Sequence, residues 1–318
     1  MTITIEGDYE PIGHTITGLY SFDRAFANRG DIGLPQRSMV EMYGNNHIGK
    51  STLAYYLSGA LNNEGRILVC DFEGLDVDYL PLASNPSNFD GTIEIIKSLD
   101  NKNKARSHES MLTEFTSRIF SEEDVIAGIM DSVGSILPTY QREGEIGEGF
   151  GAKRAVVVAG LARNSQFALT NKPTPANIFV INHSHQIISG MGHSSAGGVV
   201  LKYLAGTRIF LRHSTKDFIK NTDGVLAYVT LGVVEKLRFG GKGRTFKFVT
   251  VPGYGVRPNL TAVQDAVDAG LATRGAVVKI RDKSFGYISK LVSEDLEGND
   301  ELFDPFREVL QNYKGEEA

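Results

Sequence analysis

The chain has 318 residues, of which 41% are hydrophobic and 22% charged, and its formal net charge at pH 7 is −5. That length suits one large domain with a smaller one, and the acidic balance argues against a broadly basic nucleic-acid-binding protein while allowing local basic loops. The first residues lack the segments of a secretion signal, and no apolar run approaches the length of a membrane span. We therefore expect a cytoplasmic protein that binds no membrane.

Two short patterns come first in the chain. Residues 2–5 alternate Thr and Ile, which predicts a short strand that pairs with a sheet edge of its own or of a neighbouring subunit. A disordered start is the alternative. Leu19, Phe22, Ala25 and Phe26 recur at helical spacing and predict a helix that buries one apolar face.

The strongest signal is the segment 44–51, which lies between an apolar run and a helical pattern. In a strand, loop and helix, its glycines let successive backbone N–H groups face one anion, and the helix N-terminus adds its dipole. This is the pattern of a phosphate-binding loop, in which Lys50 neutralises the outer phosphates and Ser51 coordinates Mg²⁺. The nucleotide-binding candidates are Gly44, Asn45, Asn46, His47, Ile48, Gly49, Lys50, Ser51 and Thr52.

Two later apolar runs end in acids. The run 66–71 predicts a buried strand that places Glu73 beside the phosphate loop, where it is a candidate base for the attacking water. The run 124–131 has the form of a Walker B strand, in which Asp131 holds Mg²⁺ through water. Ser132 rather than a glutamate follows, which moves the catalytic carboxylate elsewhere and favours Glu73.

The region between these two runs carries weaker signals. The single cysteine, Cys70, lies in an apolar run and is expected to be a buried small side chain rather than a reactive thiol. Residues 80–118 are polar and predict irregular structure, with a turn at 85–88 and a helix over 109–119.

Taken in order, these features resemble the RecA-type recombinases, including phage members of the UvsX kind. The resemblance covers nearly the whole chain and rests on Ile16-Thr17-Gly18 with Phe22-Asp23, on 40–44, on Asp71-Phe72-Glu73 with Leu75-Asp76 and Tyr79, on 131–138, on 143–147, on 179–183 and on Gly197-Gly198. It implies an α/β fold, with a RecA-like P-loop ATPase core around a central, mostly parallel twisted sheet and a small α+β C-terminal domain.

The resemblance also implies roles for residues near the nucleotide. Glu73 matches the family's water-activating glutamate, and Asp76 and Tyr79 match positions that meet the adenine. His183 stands where bacterial members have a glutamine that senses the γ-phosphate, and phage members of similar type also carry histidine there. Its imidazole would report the nucleotide state to the loop that begins at Ser184. A histidine that only caps backbone groups is the alternative.

Two Gly-rich segments, 139–151 and 184–198, match the family's DNA-binding loops. Such loops hold single-strand phosphates with N–H groups and basic side chains, while apolar tips separate the bases. The candidates are Lys153, Arg154 and Arg163 for phosphates, Ile187, Ile188 or Met191 for the apolar wedge, and Gly197 and Gly198 in the second loop. The first loop is about one residue shorter than the bacterial pattern, and basic residues that only face solvent are the alternative.

Residues 231–238 predict a late core strand. Lys236 and Arg238 fall where the family places two basic residues that reach the neighbouring subunit's γ-phosphate, which would make hydrolysis depend on assembly. Alternate residues of a strand share a face, so both are expected to reach one target. An exposed edge strand with solubilising charge is the alternative.

Residues 252–258 predict the boundary between the core and a C-terminal domain. The predicted division is an N-terminal arm over 1–13, the ATPase core over 14–256 and a C-terminal domain over 257–318. In that last domain, an apolar stripe over 260–267 predicts a helix ended by Gly270, and the runs 276–280 and 285–288 predict two strands joined by a turn. A last helix is expected to begin at Asp304 as N-cap, with Pro305 at its first position.

The resemblance implies an ATP- and Mg²⁺-dependent recombinase that forms a helical filament on single-stranded DNA and exchanges strands with homologous duplex DNA. A mediator or a single-strand-binding protein is a possible further partner. Phe22 and Ala25 also form the F-x-x-A pattern that some recombinases use as an intersubunit plug, but the apolar stripe favours a core helix. A nucleotide-binding regulator without strand exchange, favoured by the short N-terminal region, and a ring-forming helicase motor are the alternatives.

Overall fold

The computed structural model describes residues 12–27, 30–62, 64–84, 89–99, 104–139, 151–186, 193–195, 198–214, 219–221, 224–238 and 240–313. The predicted strand at 2–5 lies outside these residues. The helices are α1 (Tyr20–Ala25), α2 (Lys50–Leu61), α3 (Tyr79–Ser84), α4 (His108–Ser121), α5 (Gly151–Asn171), α6 (Val199–Leu204), α7 (Pro258–Asp268), α8 (Ile288–Leu296) and α9 (Asp304–Gln311), with single 3₁₀ turns at Val133–Ser135 and Asp300–Phe303.

The strands are β1 (His14–Thr15), β2 (Leu34–Pro35), β3 (Met39–Gly44), β4 (Arg66–Asp71), β5 (Thr92–Ile96), β6 (Val125–Asp131), β7 (Asn177–Gln186), β8 (His193–Ser195), β9 (Thr207–His213), β10 (Ile219–Asn221), β11 (Gly224–Leu237), β12 (Thr245–Val251), β13 (Gly255–Val256), β14 (Thr273–Arg274), β15 (Val278–Ile280) and β16 (Lys283–Gly286). The central sheet has the order β13-β12-β11-β9-β3-β7-β6-β4-β5. From β5 to β9 neighbouring strands are parallel, and from β9 to β13 they are antiparallel. The predicted α/β fold with a mostly parallel central sheet is confirmed.

The sheet register aligns the carboxyl ends of β3, β4 and β6 with residues of β7 and β9. Asp71 pairs with Asp131, and Gly44 pairs with His183 on one side and with Leu211 on the other. Carboxyl ends of parallel strands share one edge of a sheet, which is where ligands bind in open α/β folds. The phosphate loop and the acids therefore meet at this edge.

The core fills both faces of the sheet. The predicted helix near the N-terminus is α1, and its apolar residues are buried: Phe22 and Phe26 are 0% exposed and Ala25 is 4% exposed. Phe22 packs on Phe26 at 4.4 Å and edge-on to Phe246 at 4.8 Å between ring centroids. The core-helix interpretation is confirmed, because Phe22 and Ala25 are used inside the chain. Cys70 is buried, as expected.

Sequence reasoning missed β5. The region 80–118, predicted to be irregular apart from one helix, contains that helix as α4, but it also contains most of α3 and the strand β5, which extends the sheet in parallel beside β4. The predicted turn at 85–88 lies outside the described residues. Its Glu94 accepts hydrogen bonds from Arg66 (3.1 Å) and Arg118 (2.6 Å). The short strand lies in a polar stretch of the sequence, and its one charge is satisfied by these tertiary contacts.

The C-terminal region follows its prediction with shifts. Helix α7 ends before Gly270, whose φ is 70°, and β15 and β16 are joined by a shorter turn at 281–282 than expected. Helix α8 was not predicted, and α9 begins at Asp304 itself. Apolar side chains of β11 and β12 share one core cluster with α7 and α9. The domain boundaries stay a prediction. No helix in the described ranges is long and apolar enough to span a bilayer.

Candidate nucleotide-binding site

The loop at 44–49 has the backbone shape of an anion-binding nest. A Cβ on Gly44 would lie 2.3 Å from the carbonyl oxygen of Leu211 in the adjacent strand, so only glycine fits where the two backbones approach. His47 (φ 59°) and Gly49 (φ 83°) are left-handed, and Gly49 directly precedes α2. The loop therefore turns back over the helix N-terminus, where backbone N–H groups and the helix dipole favour phosphate.

Lys50 lies inside this loop. Its side chain is 7% exposed, and its Nζ donates hydrogen bonds to the carbonyl oxygens of Asn45 (2.7 Å) and Gly44 (3.4 Å). Burial lowers the pKa of the ammonium, and the charges of Asp131 and Glu73 partly offset this. The cation is thus held at the loop by carbonyl oxygens that phosphate oxygens would outcompete.

Ser51 and Asp131 form the candidate magnesium pair. Asp131 is 4% exposed, at the end of β6. Burial raises the pKa of its carboxyl to about 6, although a hydrogen bond from the Ser51 side chain lowers it in part. Hydroxyl and carboxylate oxygens are ligands that Mg²⁺ prefers, and Mg²⁺ commonly takes its remaining ligands from water and from nucleotide phosphates. The pair therefore fits a Mg²⁺ bound together with ATP.

Glu73 is anchored by three side chains at the same edge. Its Oε1 accepts hydrogen bonds from Ser132 Oγ and from Ser135 Oγ (2.7 Å), and it lies 3.1 Å from His183 Nε2. Burial raises the pKa of the Glu73 carboxyl, but these three partners outweigh it, so the net shift is downward. Glu73 is therefore an ionised carboxylate, and its side chain is 40% exposed.

Asp71 shapes the turn that carries Glu73, and sequence reasoning missed it. Its carboxylate accepts hydrogen bonds from the backbone N–H groups of Glu73 (3.0 Å), Gly74 (2.8 Å) and Leu75 (2.9 Å). Gly74 has a left-handed φ of 88°, which suits glycine. An acid two residues before Glu73, at the end of a buried strand, was the available signal.

His183 connects Glu73 to the phosphate loop. Its Nδ1 lies 3.1 Å from Asn46 Oδ1, and the neighbouring Ser184 Oγ donates to Asn45 Oδ1 at 2.8 Å. A Cβ on Gly134 would lie 2.5 Å from His183 Cδ2, so the glycine makes room for the ring. The imidazole bonds side chains of the loop and of Glu73, which is more than a backbone cap does.

Asn182, the residue before His183, contacts a buried ion pair between Glu41 and Arg208 that reaches towards the second predicted DNA loop. Sequence reasoning missed this pair too. Asn182 Nδ2 donates to Glu41 Oε1 (2.9 Å), and Arg208 Nε donates to Glu41 Oε2 (2.6 Å). Arg208 Nη2 also donates to Ser195 Oγ on β8 (3.3 Å). The Glu41 side chain is 0% exposed, so its charge depends on these partners.

The two adenine candidates differ in position. Tyr79 begins α3, and its hydroxyl lies 2.9 Å from Thr52 Oγ1 in α2, beside the phosphate loop. Asp76 is exposed, and its carboxylate accepts the N–H of Asp78 at 3.1 Å. Tyr79 is thus fixed against the loop helix, whereas Asp76 belongs to a surface turn.

The DNA-binding candidates lie partly outside the described residues, which is the case for Ile187, Ile188, Met191 and Gly197. For Lys153 only the backbone is described, at the start of α5. Arg163 is exposed on α5, whereas Arg154 Nη1 donates to the Gly134 carbonyl oxygen at 3.0 Å. Gly198 packs on the same helix, since a Cβ there would lie 3.2 Å from Ala155 Cβ.

Lys236 and Arg238 lie near each other but differ in exposure. Lys236 Nζ donates to the carbonyl oxygens of Lys202 (3.0 Å) and Tyr203 (2.7 Å) at the end of α6. Burial lowers the pKa of that ammonium, and the nearby Arg238 lowers it further. Arg238 follows the end of β11 and is exposed. The alternative of an exposed edge strand is wrong, because β11 lies between β9 and β12.

The phosphate loop between β3 and α2, with acids at the ends of β4 and β6, defines a P-loop nucleotide-binding protein on a mostly parallel sheet. The sequence model of the RecA N-terminal domain matches residues 5–240. The chain therefore belongs to the RecA family, and at that level it is a RecA-like recombinase and ATPase.

Curated relatives agree with the family at low identity. The chain is 25% identical to Protein RecA of Porphyromonas gingivalis over 294 residues, which cover 88% of this chain and 79% of that protein. It is 24% identical to Protein RecA of Cutibacterium acnes over 314 residues, covering 94% of this chain and 82% of the relative. Protein RecA of a Caulobacter species is 25% identical over 276 residues, which cover 85% of this chain and 73% of that protein.

Proposed function

We propose that this chain is a Mg²⁺- and ATP-dependent recombinase that polymerises on single-stranded DNA, pairs it with homologous duplex and exchanges strands. The observation that carries the proposal is the position of His183, which contacts both the phosphate loop and Glu73 at the start of the second predicted DNA loop. A site built in this way ties nucleotide state to DNA binding through side chains in contact.

Within this proposal each residue has a chemical task. The loop N–H groups and Lys50 hold the phosphates, Ser51 and Asp131 hold Mg²⁺, and Glu73 orients and deprotonates the attacking water. ATP supplies the phosphoryl group and Mg²⁺ neutralises its charge when they are bound. Because phosphoryl transfer needs mainly positioning and charge neutralisation, an ionised Glu73 on a fixed turn suits the task.

The remaining predicted residues complete the site or the DNA surface. Asp76 and Tyr79 flank the adenine, and Lys236 and Arg238 reach the γ-phosphate bound by the next subunit in a filament. Lys153, Arg154, Arg163, Gly197 and Gly198 contact DNA, with Ile187, Ile188 or Met191 between bases.

The test is ATP hydrolysis with and without single-stranded DNA, for the wild type and for Glu73→Gln. We expect DNA to stimulate the wild type strongly, and Glu73→Gln to abolish turnover while DNA binding persists. Glu64→Gln, an exposed acid before β4, serves as the matched control. A strand-exchange assay with homologous duplex then separates a recombinase from a nucleotide-gated regulator. Slow turnover that ignores both DNA and the substitution would refute the proposal.

A further inference from the structure

A chain of contacts links the start of α5 to the catalytic carboxylate. Arg154 Nη1 donates to the carbonyl oxygen of Gly134, at the centre of the 3₁₀ turn Val133–Ser135. The next residue of that turn, Ser135, donates its hydroxyl to Glu73 at 2.7 Å. Gly134 also makes room for the His183 ring, because a Cβ there would lie 2.5 Å from His183 Cδ2. One short turn therefore contacts Arg154, His183 and Glu73.

The Arg154 guanidinium is poorly satisfied in this position. Its Nη1 has a carbonyl partner, but its Nε is buried without a hydrogen-bond partner among the described residues. A buried donor without an acceptor is unfavourable. A phosphate accepts two parallel hydrogen bonds from a guanidinium and carries charge, so it would satisfy Arg154 better than one carbonyl does.

Arg154 lies near the end of the first predicted DNA loop, and its neighbour Ala155 lies near the end of the second. It lies in the first turn of α5, directly after the first predicted loop. Ala155, the next residue, packs against Gly198 at the end of the second predicted loop, where a Cβ on Gly198 would come within 3.2 Å of Ala155 Cβ. A phosphate bound where these two segments end would therefore lie close to the first turn of α5, which carries Arg154.

We infer that Arg154 is a positioning residue that makes Glu73 respond to DNA. Its bond to the Gly134 carbonyl steadies the Val133–Ser135 turn, and this turn holds Glu73 through Ser135 and His183. A DNA phosphate that draws the guanidinium away loosens the turn and frees Glu73 to reach the attacking water. The inference deepens the proposed function and rests on it.

The first test compares Arg154→Met with the wild type at saturating single-stranded DNA and without DNA. We expect the DNA-free hydrolysis rate to rise about 3- to 10-fold and the stimulation ratio to fall by the same factor, since one restraining hydrogen bond is lost. Arg37→Met is the matched control, because Arg37 also donates to backbone carbonyl oxygens, those of Lys172 and Pro173, far from the site. It should leave both rates unchanged.

The second test reads the turn directly and does not depend on turnover. Hydrogen exchange of the peptide 132–137, measured with a non-hydrolysable ATP analogue, should speed up in the wild type when oligothymidine is added. In Arg154→Met it should already be fast without DNA. The salt dependence of DNA affinity should lose about one phosphate contact in this variant, because the guanidinium no longer neutralises a phosphate.

A double-mutant comparison with Ser135→Ala tests whether Arg154 and Ser135 act through the same turn. Both substitutions release the same turn, so the double variant should hydrolyse ATP without DNA no more than about 2-fold faster than the faster single variant. Ser135→Ala also serves if Arg154→Met fails to fold. A wild type that ignores DNA overturns the proposed function and this inference together. A wild type that is stimulated, beside an Arg154→Met that behaves like Arg37→Met, overturns the inference alone.

Discussion

Replacing Asp71 tests whether Glu73 depends on the turn before it. Asp71→Ala removes the acceptor of three backbone N–H groups, those of Glu73, Gly74 and Leu75. The N–H groups of Glu73 and Gly74 belong to an exposed turn and can bond water instead. We therefore expect a loss of stability of only about 1–2 kcal/mol.

The effect on catalysis should be larger. A displacement of about 1 Å at a catalytic group lowers the rate by about 100-fold, so kcat of Asp71→Ala should fall by about that factor while KM changes little. Asp71→Asn keeps one acceptor oxygen, which bonds the N–H groups of Glu73 and Gly74, and should lose only about 10-fold in kcat.

The assay is steady-state hydrolysis at saturating DNA, with thermal melting to follow stability. Asp78→Ala, an exposed acid in the next turn, is the control and should match the wild type. Wild-type kcat in Asp71→Ala would show that Asp71 does not place Glu73. A fall in which KM rises as much as kcat drops would show that Asp71 acts on nucleotide binding instead.

Three further predictions concern the loop, the core and the interface. Gly44→Ala should abolish binding of a fluorescent ATP analogue because its Cβ meets a backbone carbonyl oxygen at 2.3 Å, whereas Gly160→Ala, with no heavy atom near the added Cβ within the described residues, should bind normally. Burial raises the pKa of Asp265 to about 7, so the native state binds this proton more tightly than the unfolded chain does, and the stability of the wild type falls as pH rises from about 4 to about 7. Between pH 5 and pH 8, the free energy of unfolding of Asp265→Asn, measured with urea, should rise by about 2–3 kcal/mol relative to that of the wild type. Lys236→Met and Glu73→Gln should each be inactive alone, but an equimolar mixture should recover roughly a quarter of the wild-type rate if Lys236 acts on the neighbour's nucleotide, and none if it acts within its own subunit.

The parts of the fold that sequence could predict are those with a local physical cause. Strands β4 and β6 read as apolar runs ending in an acid, and β3 reads as one interrupted only by Glu41, because both faces of a parallel sheet are covered. The phosphate loop is recognisable because Gly44 and Gly49 meet backbone constraints that few residues satisfy. By contrast, β5 has only five residues and lies in a polar stretch, and the partners of its Glu94, Arg66 and Arg118, lie about two dozen residues away or more.

Within the candidate site, too, the residues of local motifs could be predicted from the sequence, whereas their tertiary contacts could not. Lys50, Ser51, Glu73 and Asp131 were identified from motifs, and the fold brings them to one edge of the sheet. The contacts that fix them were not predictable, since Ser135 meets Glu73 across 62 positions of the chain. Such pairings depend on strand order, which a single sequence does not state.

The two carboxyl groups at the site differ in a way that fits their proposed roles. Asp131 is nearly enclosed, and burial raises its pKa to about 6, so its negative charge is stabilised mainly when a cation is beside it. Glu73 has three hydrogen-bond partners that lower its pKa despite partial burial, so it stays ionised without a cation. Acids whose surroundings separate their pKa values serve different functions. Asp131 therefore suits Mg²⁺ binding, and Glu73 suits activation of the attacking water. These roles follow from the surroundings of each carboxyl group, so exchanging the two residues alone would not exchange the roles.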